Sequence, residues 1–294
     1  MTKPIVLITG GNSGIGKAVA VNLASRGARV IIACRNSERG KEAISFIKRE
    51  SGNEDVDLLL MDLSSIRSIY AACDEFRTNH DHLDCLIHNA ADFDVRRKFP
   101  ECSEDGIEII WAVNHIGPVL LTRQLAKELA QSGQGRIITV ASKGLMAHPF
   151  LKVRTADPEF QKGGFSVEKA YYQSKLAQVM YTYWLAEKYR NTPVTANCIR
   201  VTNVRIDIAR FPDLSSFAKR MYAMKSRFSI TPRQMAEVYV WLALSPEAAK
   251  NSGRYFDEKY RIVSSSKYSR DPMNIRKVME LTEKYVPGLL SDHP

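Results

Sequence analysis

Tyr171 and Lys175 stand four residues apart in the stretch EKAYYQSKLAQVMYTYWLAEKY. On a helix that spacing places them on one face. A phenol ordinarily titrates near pH 10, about three units too high for proton exchange at neutrality. An ammonium one turn away favours the phenolate and is expected to lower that value, so Tyr171 can hand a proton to a developing alkoxide or take one from an alcohol. Tyr172 lines up instead with Leu176, Val179, Met180 and Tyr183. That set is apolar, so Tyr172 is expected to pack in the core.

A second chemical signal lies near the N-terminus. LITGGNSGIGKAVA places Gly10, Gly14 and Gly16 between an apolar run and an amphipathic one. Glycines allow a tight turn and close approach of a pyrophosphate, and a helix N-terminus offers free N–H groups. The next apolar run ends IIACRN, with Arg35 where a ribose-binding carboxylate would stand in an NAD-binding chain. A guanidinium matches a 2′-phosphate in charge and in its forked donors. Asn12 and Ser13 can add hydrogen bonds to the same group. NADP(H) is therefore the expected cofactor.

These residues need a frame. Apolar runs at 4–9, 28–34, 56–63 and 83–90 alternate with helical stretches, and further strands are expected at 135–142, 193–201 and from 253. Continuous rather than alternating Val, Ile and Leu suits strands buried on both faces of a parallel sheet. The expectation is an α/β fold: a single-domain, Rossmann-like, doubly wound parallel sheet of about seven strands with helices on both faces, spanning 1–294. EIIWAVNHIGPVLLTRQLAKELA reads as one long buried helix. Two segments, 143–170 and 207–232, are long for connections at the carboxyl ends of strands, where such folds bind ligands. Their Met146, Phe150, Phe165, Phe211, Phe217, Met221 and Met224 suit a bulky, partly hydrophobic substrate.

The 294 residues carry a formal net charge of +10, but basic and acidic residues are interspersed and no basic cluster with interleaved aromatics occurs, which argues against nucleic acid. The five cysteines, Cys34, Cys73, Cys85, Cys102 and Cys198, lack metal-ligand spacing. No metal is expected. No apolar run is long enough to span a bilayer and the N-terminus lacks signal-peptide character. A reducing, cytoplasmic location is the expectation.

The motifs TGGNSGIG, ACRN, MDLSS, LDCLIHNAA, VNHIGPVLLT, GRIITVAS, YYQSKLAQV and SGRYF, in this order, resemble the short-chain dehydrogenase/reductase family and its retinol dehydrogenase-like branch over nearly the whole chain. The resemblance implies a catalytic set of Asn114, Ser142, Tyr171 and Lys175. Ser142 would donate a hydrogen bond to substrate oxygen, and Asn114 would hold a water linking Lys175 to solvent. It implies cofactor contacts from Gly10, Asn12, Ser13, Gly14, Ile15, Gly16, Arg35, Asp62, Leu63, Asn89, Tyr171, Lys175 and Val204, with Lys175 on the nicotinamide ribose. Family members often pair through their fourth and fifth helices, so a homodimer or homotetramer is expected. Two departures stand out. Asn89-Ala90-Ala91 replaces Asn-Ala-Gly, and VTNVRID replaces Pro-Gly-x-Val-x-Thr, removing the threonine that bonds the carboxamide. Thr202 or the backbone around Asn203 is the candidate substitute.

The resulting expectation is an NADP(H)-dependent oxidoreductase moving hydride between nicotinamide and a carbonyl or alcohol carbon, with Tyr171 as acid/base. Two alternatives stay open: a reductase of activated C=C bonds, and a nucleotide-binding sensor or scaffold that has lost turnover.

Overall fold

The structure, a computed structural model, describes residues 3–205 and 229–291. Seven parallel strands form one sheet in the order β3-β2-β1-β4-β5-β6-β7. They are β1 (Ile5–Thr9), β2 (Arg29–Cys34), β3 (Val56–Leu60), β4 (Cys85–His88), β5 (Arg136–Ser142), β6 (Thr195–Val201) and β7 (Arg254–Phe256). The chain winds outward from β1 in one direction to β3 and in the other to β7, so the strand order reverses between β1 and β4. A crevice at the carboxyl ends of strands opens at such a switch point.

The strands are buried on both faces because helices cover both. Val6, Ile8, Ile32 and Ile87 join one apolar cluster with α1 (Gly14–Ser25), α2 (Ser37–Ser51) and α8 (Pro232–Leu244). Leu7, Ile31, Leu86 and Ile137 join the other with α3 (Ile66–Asn79), α5 (Gly117–Gln124) and α7 (Val167–Lys188). Short helices α4 (Ile109–Trp111) and α6 (Ala126–Gln131) flank α5. Helices α9 (Lys267–Arg270) and α10 (Pro272–Glu283) close the described chain.

The long buried helix expected over 108–130 is broken into α4, a π turn (Ala112–Ile116), α5 and α6. Proline is the reason. Pro118 has no N–H to give the Asn114 carbonyl four residues earlier, and the Gly117 N–H reaches back five residues to the Ala112 carbonyl. The C-terminal segment packs over α7: Val278, Met279, Val286 and Leu289 share a cluster with Met180, Tyr181 and Leu185. Thr282 hydrogen-bonds His115 at 2.9 Å, and Lys188 donates to the Leu289 carbonyl at 3.0 Å.

Of the two long segments, the one expected over 143–170 begins as a 3-10 turn (Lys143–Ala147) and runs irregularly only as far as the Ser166 cap of α7, which holds the Lys169 N–H at 3.2 Å. Phe165 packs against Phe160 and Val167, while Met146 and Phe150 are exposed. Phe211, Phe217, Met221 and Met224 lie outside the described residues. Only the end of the second segment is described: Thr231 and Gln234 form the capping box of α8.

Candidate active site

The glycine turn is built for backbone approach. Gly10 and Gly14 adopt φ of +67° and +55°, left-handed values that favour glycine. A Cβ on Gly16 would lie 2.3 Å from the Gly10 carbonyl oxygen and 2.5 Å from the Asn89 amide nitrogen. Asn89 donates to the Thr9 carbonyl at 3.0 Å, so its side chain props the turn from β4. Ser13 caps α1 without a side-chain hydrogen bond, and the first turn carries no acid. The helix N-terminus is thus left to an anion.

A crevice of about 450 Å³ runs from this turn along the switch point. Gly10, Asn12, Ser13, Gly14, Ile15, Gly16, Arg35, Asp62, Leu63 and Asn89 all line it. Arg39 lines it as well and was not anticipated, although it follows Arg35 by four residues. Among the described residues neither guanidinium is ion-paired, while Asp62 turns its carboxylate onto the Ser64 hydroxyl at 2.7 Å. Val204 is placed elsewhere. It lines a larger opening of about 800 Å³ on the other flank of α1, sharing only Gly14 and Ile15 with the crevice. Val204 is bridged to Ile230, and the Asn203 carbonyl accepts the Ile230 N–H at 3.1 Å. The Asn203 carbonyl, one part of the backbone offered as a substitute for the missing threonine, thus already accepts a hydrogen bond within the chain. This larger opening touches none of Asn114, Ser142, Tyr171 or Lys175, so size does not decide the site.

Three of these gather at the carboxyl end of β5 and the first turns of α7, and Asn114 joins them from the π turn. Ser142 lies close enough to the Tyr171 phenol to pull its pKa down, and its hydroxyl accepts the Gly144 N–H at 3.1 Å. The Lys175 ammonium nitrogen sits 5.7 Å from the centre of the Tyr171 ring and donates to the Val140 carbonyl at 2.9 Å. Asn114, on the π turn, accepts the Asp92 N–H at 2.7 Å and donates to the Asp92 carbonyl at 3.0 Å and to Ser174 at 3.1 Å. Its amide is thus satisfied by protein groups, and a water held by Asn114 would have to use its backbone carbonyl. Asp92 also lines the crevice, and its neighbour Phe93 packs on Tyr171 at a tilt of 45°, with ring centres 4.4 Å apart. Through these two residues the tyrosine cluster adjoins the crevice wall. Neither Asp92 nor Phe93 carried a signal beyond following Asn89-Ala90-Ala91.

Two expectations are corrected. Tyr172 is not core: it is half-buried, packs on His148 at a tilt of 41° with ring centres 4.5 Å apart, and its hydroxyl lies against Gly144. Helical periodicity assigned it to the apolar stripe, but the chain after β5 folds back beside that face and leaves it at the surface. The phenol of Tyr171 is not made acidic here. Burial pushes it up to about 12, Tyr172 adds to the rise, and the Ser142 bond opposes it. Burial likewise pushes Lys175 down to about 8. Desolvation dominates in both because the charged form of each group is the one burial penalises.

A glycine-lined crevice at the switch point, adjoining a tyrosine, serine and lysine brought together from two elements, is an arrangement a dinucleotide-dependent oxidoreductase can use. Residues 4–153 match the family described as short chain dehydrogenase, and the chain belongs to the short-chain dehydrogenase/reductase family, oxidoreductases that use a nicotinamide cofactor. Within it the chain is retinol dehydrogenase-like. It is 34% identical over 303 residues to "Retinol dehydrogenase 14" of Homo sapiens, covering 97% of this chain and 86% of that protein. To "Retinol dehydrogenase 12" of Homo sapiens it is 36% identical over 254 residues, 86% of this chain and 77% of that one. Solved structures share the fold. An uncharacterised protein from Mycobacterium paratuberculosis has a TM-score of 0.73 at 24% identity, with 100% of this chain and 96% of that one covered. A short chain dehydrogenase from Shigella flexneri 2a, complexed with NADP, has a TM-score of 0.66 at 24% identity, covering 88% and 98%. Among the described residues no helix is long and apolar enough to cross a membrane.

Proposed function

We propose that the protein is an NADP(H)-dependent oxidoreductase acting on a carbonyl or alcohol carbon of a bulky, partly hydrophobic substrate. The observation that carries this reading is the clustering of Ser142, Tyr171 and Lys175 beside a crevice whose outer end holds Arg35 and Arg39. NADPH, when bound, would supply the hydride. Ser142 and Tyr171 would hold the substrate oxygen between two hydroxyls, and Tyr171 would donate the proton that this oxygen gains on reduction. Lys175, already anchored on the Val140 carbonyl, would orient the cofactor's ribose and place positive charge beneath the phenol. Arg35 and Arg39 would take the 2′-phosphate, and the uncapped turn at Ser13 and Gly14 the pyrophosphate. A cytoplasmic, reducing environment goes with this reading. If the chain self-associates as a homodimer or homotetramer, the α7 surface covered by its own C-terminal segment is unavailable for pairing.

The test is NADPH oxidation with a panel of apolar aldehydes and ketones, run on the native chain and on Tyr171→Phe. Loss of the proton donor should reduce turnover about 10²- to 10⁴-fold with NADPH affinity nearly unchanged. Full turnover by Tyr171→Phe removes Tyr171 from the chemistry. A second reading, a nucleotide-binding sensor or scaffold, draws on the Asn203 carbonyl being taken by Ile230. It is favoured if NADPH binds but no member of the panel, activated alkenes included, is reduced.

A further inference from the structure

His88, the last residue of β4, is 3% exposed. Its Nε2 sits 2.7 Å from the Thr122 hydroxyl of α5, and that hydroxyl lies 2.9 Å from the Pro118 carbonyl oxygen. Thr122 has one proton to give. If it went to the ring, the Pro118 oxygen would face a bare oxygen at 2.9 Å. The proton therefore goes to Pro118, the Thr122 oxygen accepts from His88, and the ring carries its own proton on Nε2. Nδ1 is left as a lone-pair acceptor, with no hydrogen-bond partner among the described residues. A buried acceptor is ordinarily paired, because leaving it unserved is costly.

The charge that reaches this ring is that of Lys175. Burial and the Lys175 ammonium together keep the imidazole neutral, pushing it down to about 3. A neutral ring beside an ammonium serves it only as an acceptor, and Nδ1 is the acceptor it has. Lys175 for its part carries three N–H donors. One goes to the Val140 carbonyl at 2.9 Å, and the cofactor's ribose would take another. The other titratable groups around the ammonium offer it no charge. Tyr171 on its own helix and Cys198 on β6 are held neutral by burial, at about 12 and about 11. His115 of the π turn is engaged by Thr282 and Gln178. Burial leaves Lys175 at about 8, so at pH 8 half of the molecules would lack the ammonium.

We infer that His88 is a positioning residue for Lys175: its Nδ1 lone pair takes a hydrogen bond from the ammonium through one buried water, and so holds the lysine charged and aimed at the cofactor. This deepens the function proposed above and rests on it. A water so placed has the two polar partners that a buried water needs. One hydrogen bond to a charged group is worth about one to two pKa units. That carries Lys175 from about 8 to 9 or beyond. His88 itself neither gains nor loses a proton in this role.

The test replaces His88 by each of the two amides. In His88→Gln the side-chain nitrogen falls at the Nε2 position and keeps the bond to Thr122, but nothing accepts at Nδ1. In His88→Asn the amide oxygen takes the place of Nδ1. With saturating NADPH and carbonyl substrate, kcat of the native chain and of His88→Asn should hold from about pH 7 to 9. That of His88→Gln should fall about tenfold over the same range, as a Lys175 midpoint near 8 dictates. A level profile in His88→Gln, or an equal fall in both variants, overturns the assignment. NMR titration of the cofactor-free protein with isotope-labelled lysine needs no turnover and so separates this inference from the proposed function. The Lys175 signal, identified as the one missing from Lys175→Met, should have a midpoint about one unit or more lower in His88→Gln than in the native chain; equal midpoints overturn the inference. In the native chain itself, isotope-labelled histidine should show His88 protonated on Nε2 alone, and a proton on Nδ1 overturns the inference whether or not either variant folds.

Discussion

Glu108 gives the most direct test of how burial sets charge next to the site. It caps α4, the short helix that runs into the π turn carrying Asn114, and its carboxylate accepts the Trp111 N–H at 2.8 Å. The residue is 1% exposed, and its other carboxylate oxygen has no hydrogen-bond partner among the described residues. Burial pushes the carboxyl from 4.5 up to about 7, against the opposing pull of the Trp111 and Ile110 N–H groups and of Arg97. The folded chain therefore keeps this proton over a range in which the unfolded chain has lost it. Stability from this group is greatest below pH 4.5, declines as pH rises, and the full loss is present above about 7. The shift corresponds to a loss of about 3 kcal/mol as an upper figure.

Glu108→Gln keeps an acceptor for Trp111 and never ionises. It should come within about 1 kcal/mol of the native chain at pH 5 and exceed it at pH 8 by up to about 3 kcal/mol, a Tm gain of roughly 5 °C for a chain of this size. Thermal unfolding of both proteins at the two pH values, followed by circular dichroism, reads the difference directly, since every other titrating group is common to both. A stability gap that is the same at pH 5 and pH 8 would show that Glu108 does not titrate between them. A variant less stable at pH 8 would show that Arg97 stabilises a charged Glu108 and that the burial argument has the wrong sign.

Other outcomes follow from the same geometry. Arg35→Ala and Arg39→Ala should each weaken NADPH binding about tenfold while leaving NADH nearly unaffected, because only the 2′-phosphate distinguishes the two; fluorescence titration with both nucleotides checks this, and equal losses for the two would place the phosphate elsewhere. Tyr172→Phe removes a hydroxyl that lies against Gly144 and keeps the half-buried ring, so steady-state kcat should change less than about twofold. A loss comparable to that of Tyr171→Phe would mean that the neighbouring tyrosine carries the proton.

The parts of this molecule that could be read in advance are those governed by local spacing. Gly10, Gly14 and Gly16 mark a turn that only glycine fits, and Tyr171 with Lys175 obeys the four-residue neighbour rule. The seven strands are legible because continuous apolar runs have no other use in so short a length. What escaped depends on chain segments distant in sequence. Tyr172 shares its helical stripe with core residues, yet the chain from Gly144 to His148 decides where it ends up. Phe93 meets Tyr171 across 78 positions of sequence. The π turn was in principle legible, because Pro118 denies the Asn114 carbonyl its donor, but an unbroken apolar run conceals one extra residue in a turn.

Protonation was the least legible feature, and its outcome bears on direction. A neighbour rule suggests an acidic phenol, but the pKa reflects the sum of desolvation and charge, and here Tyr171 stands at about 12. At pH 7 the phenol is fully loaded with its proton. An alkoxide is about as basic as hydroxide, whose conjugate acid water has a pKa of 15.7, so transfer from this phenol to a developing alkoxide is downhill by roughly four units. The reverse step, removal of a proton from an alcohol, needs a phenolate that is populated at only about one part in 10⁵ at neutrality. The cluster as folded is therefore poised for carbonyl reduction. With saturating cofactors at pH 7, reduction of a medium-chain aldehyde should exceed oxidation of the matching alcohol, and oxidation should climb about tenfold per pH unit between 7 and 9 while reduction stays flat. Oxidation that is already fast and pH-independent at 7 would show that the bound cofactor's positive charge overrides burial, and that the phenol's state in the free protein says nothing about the working direction.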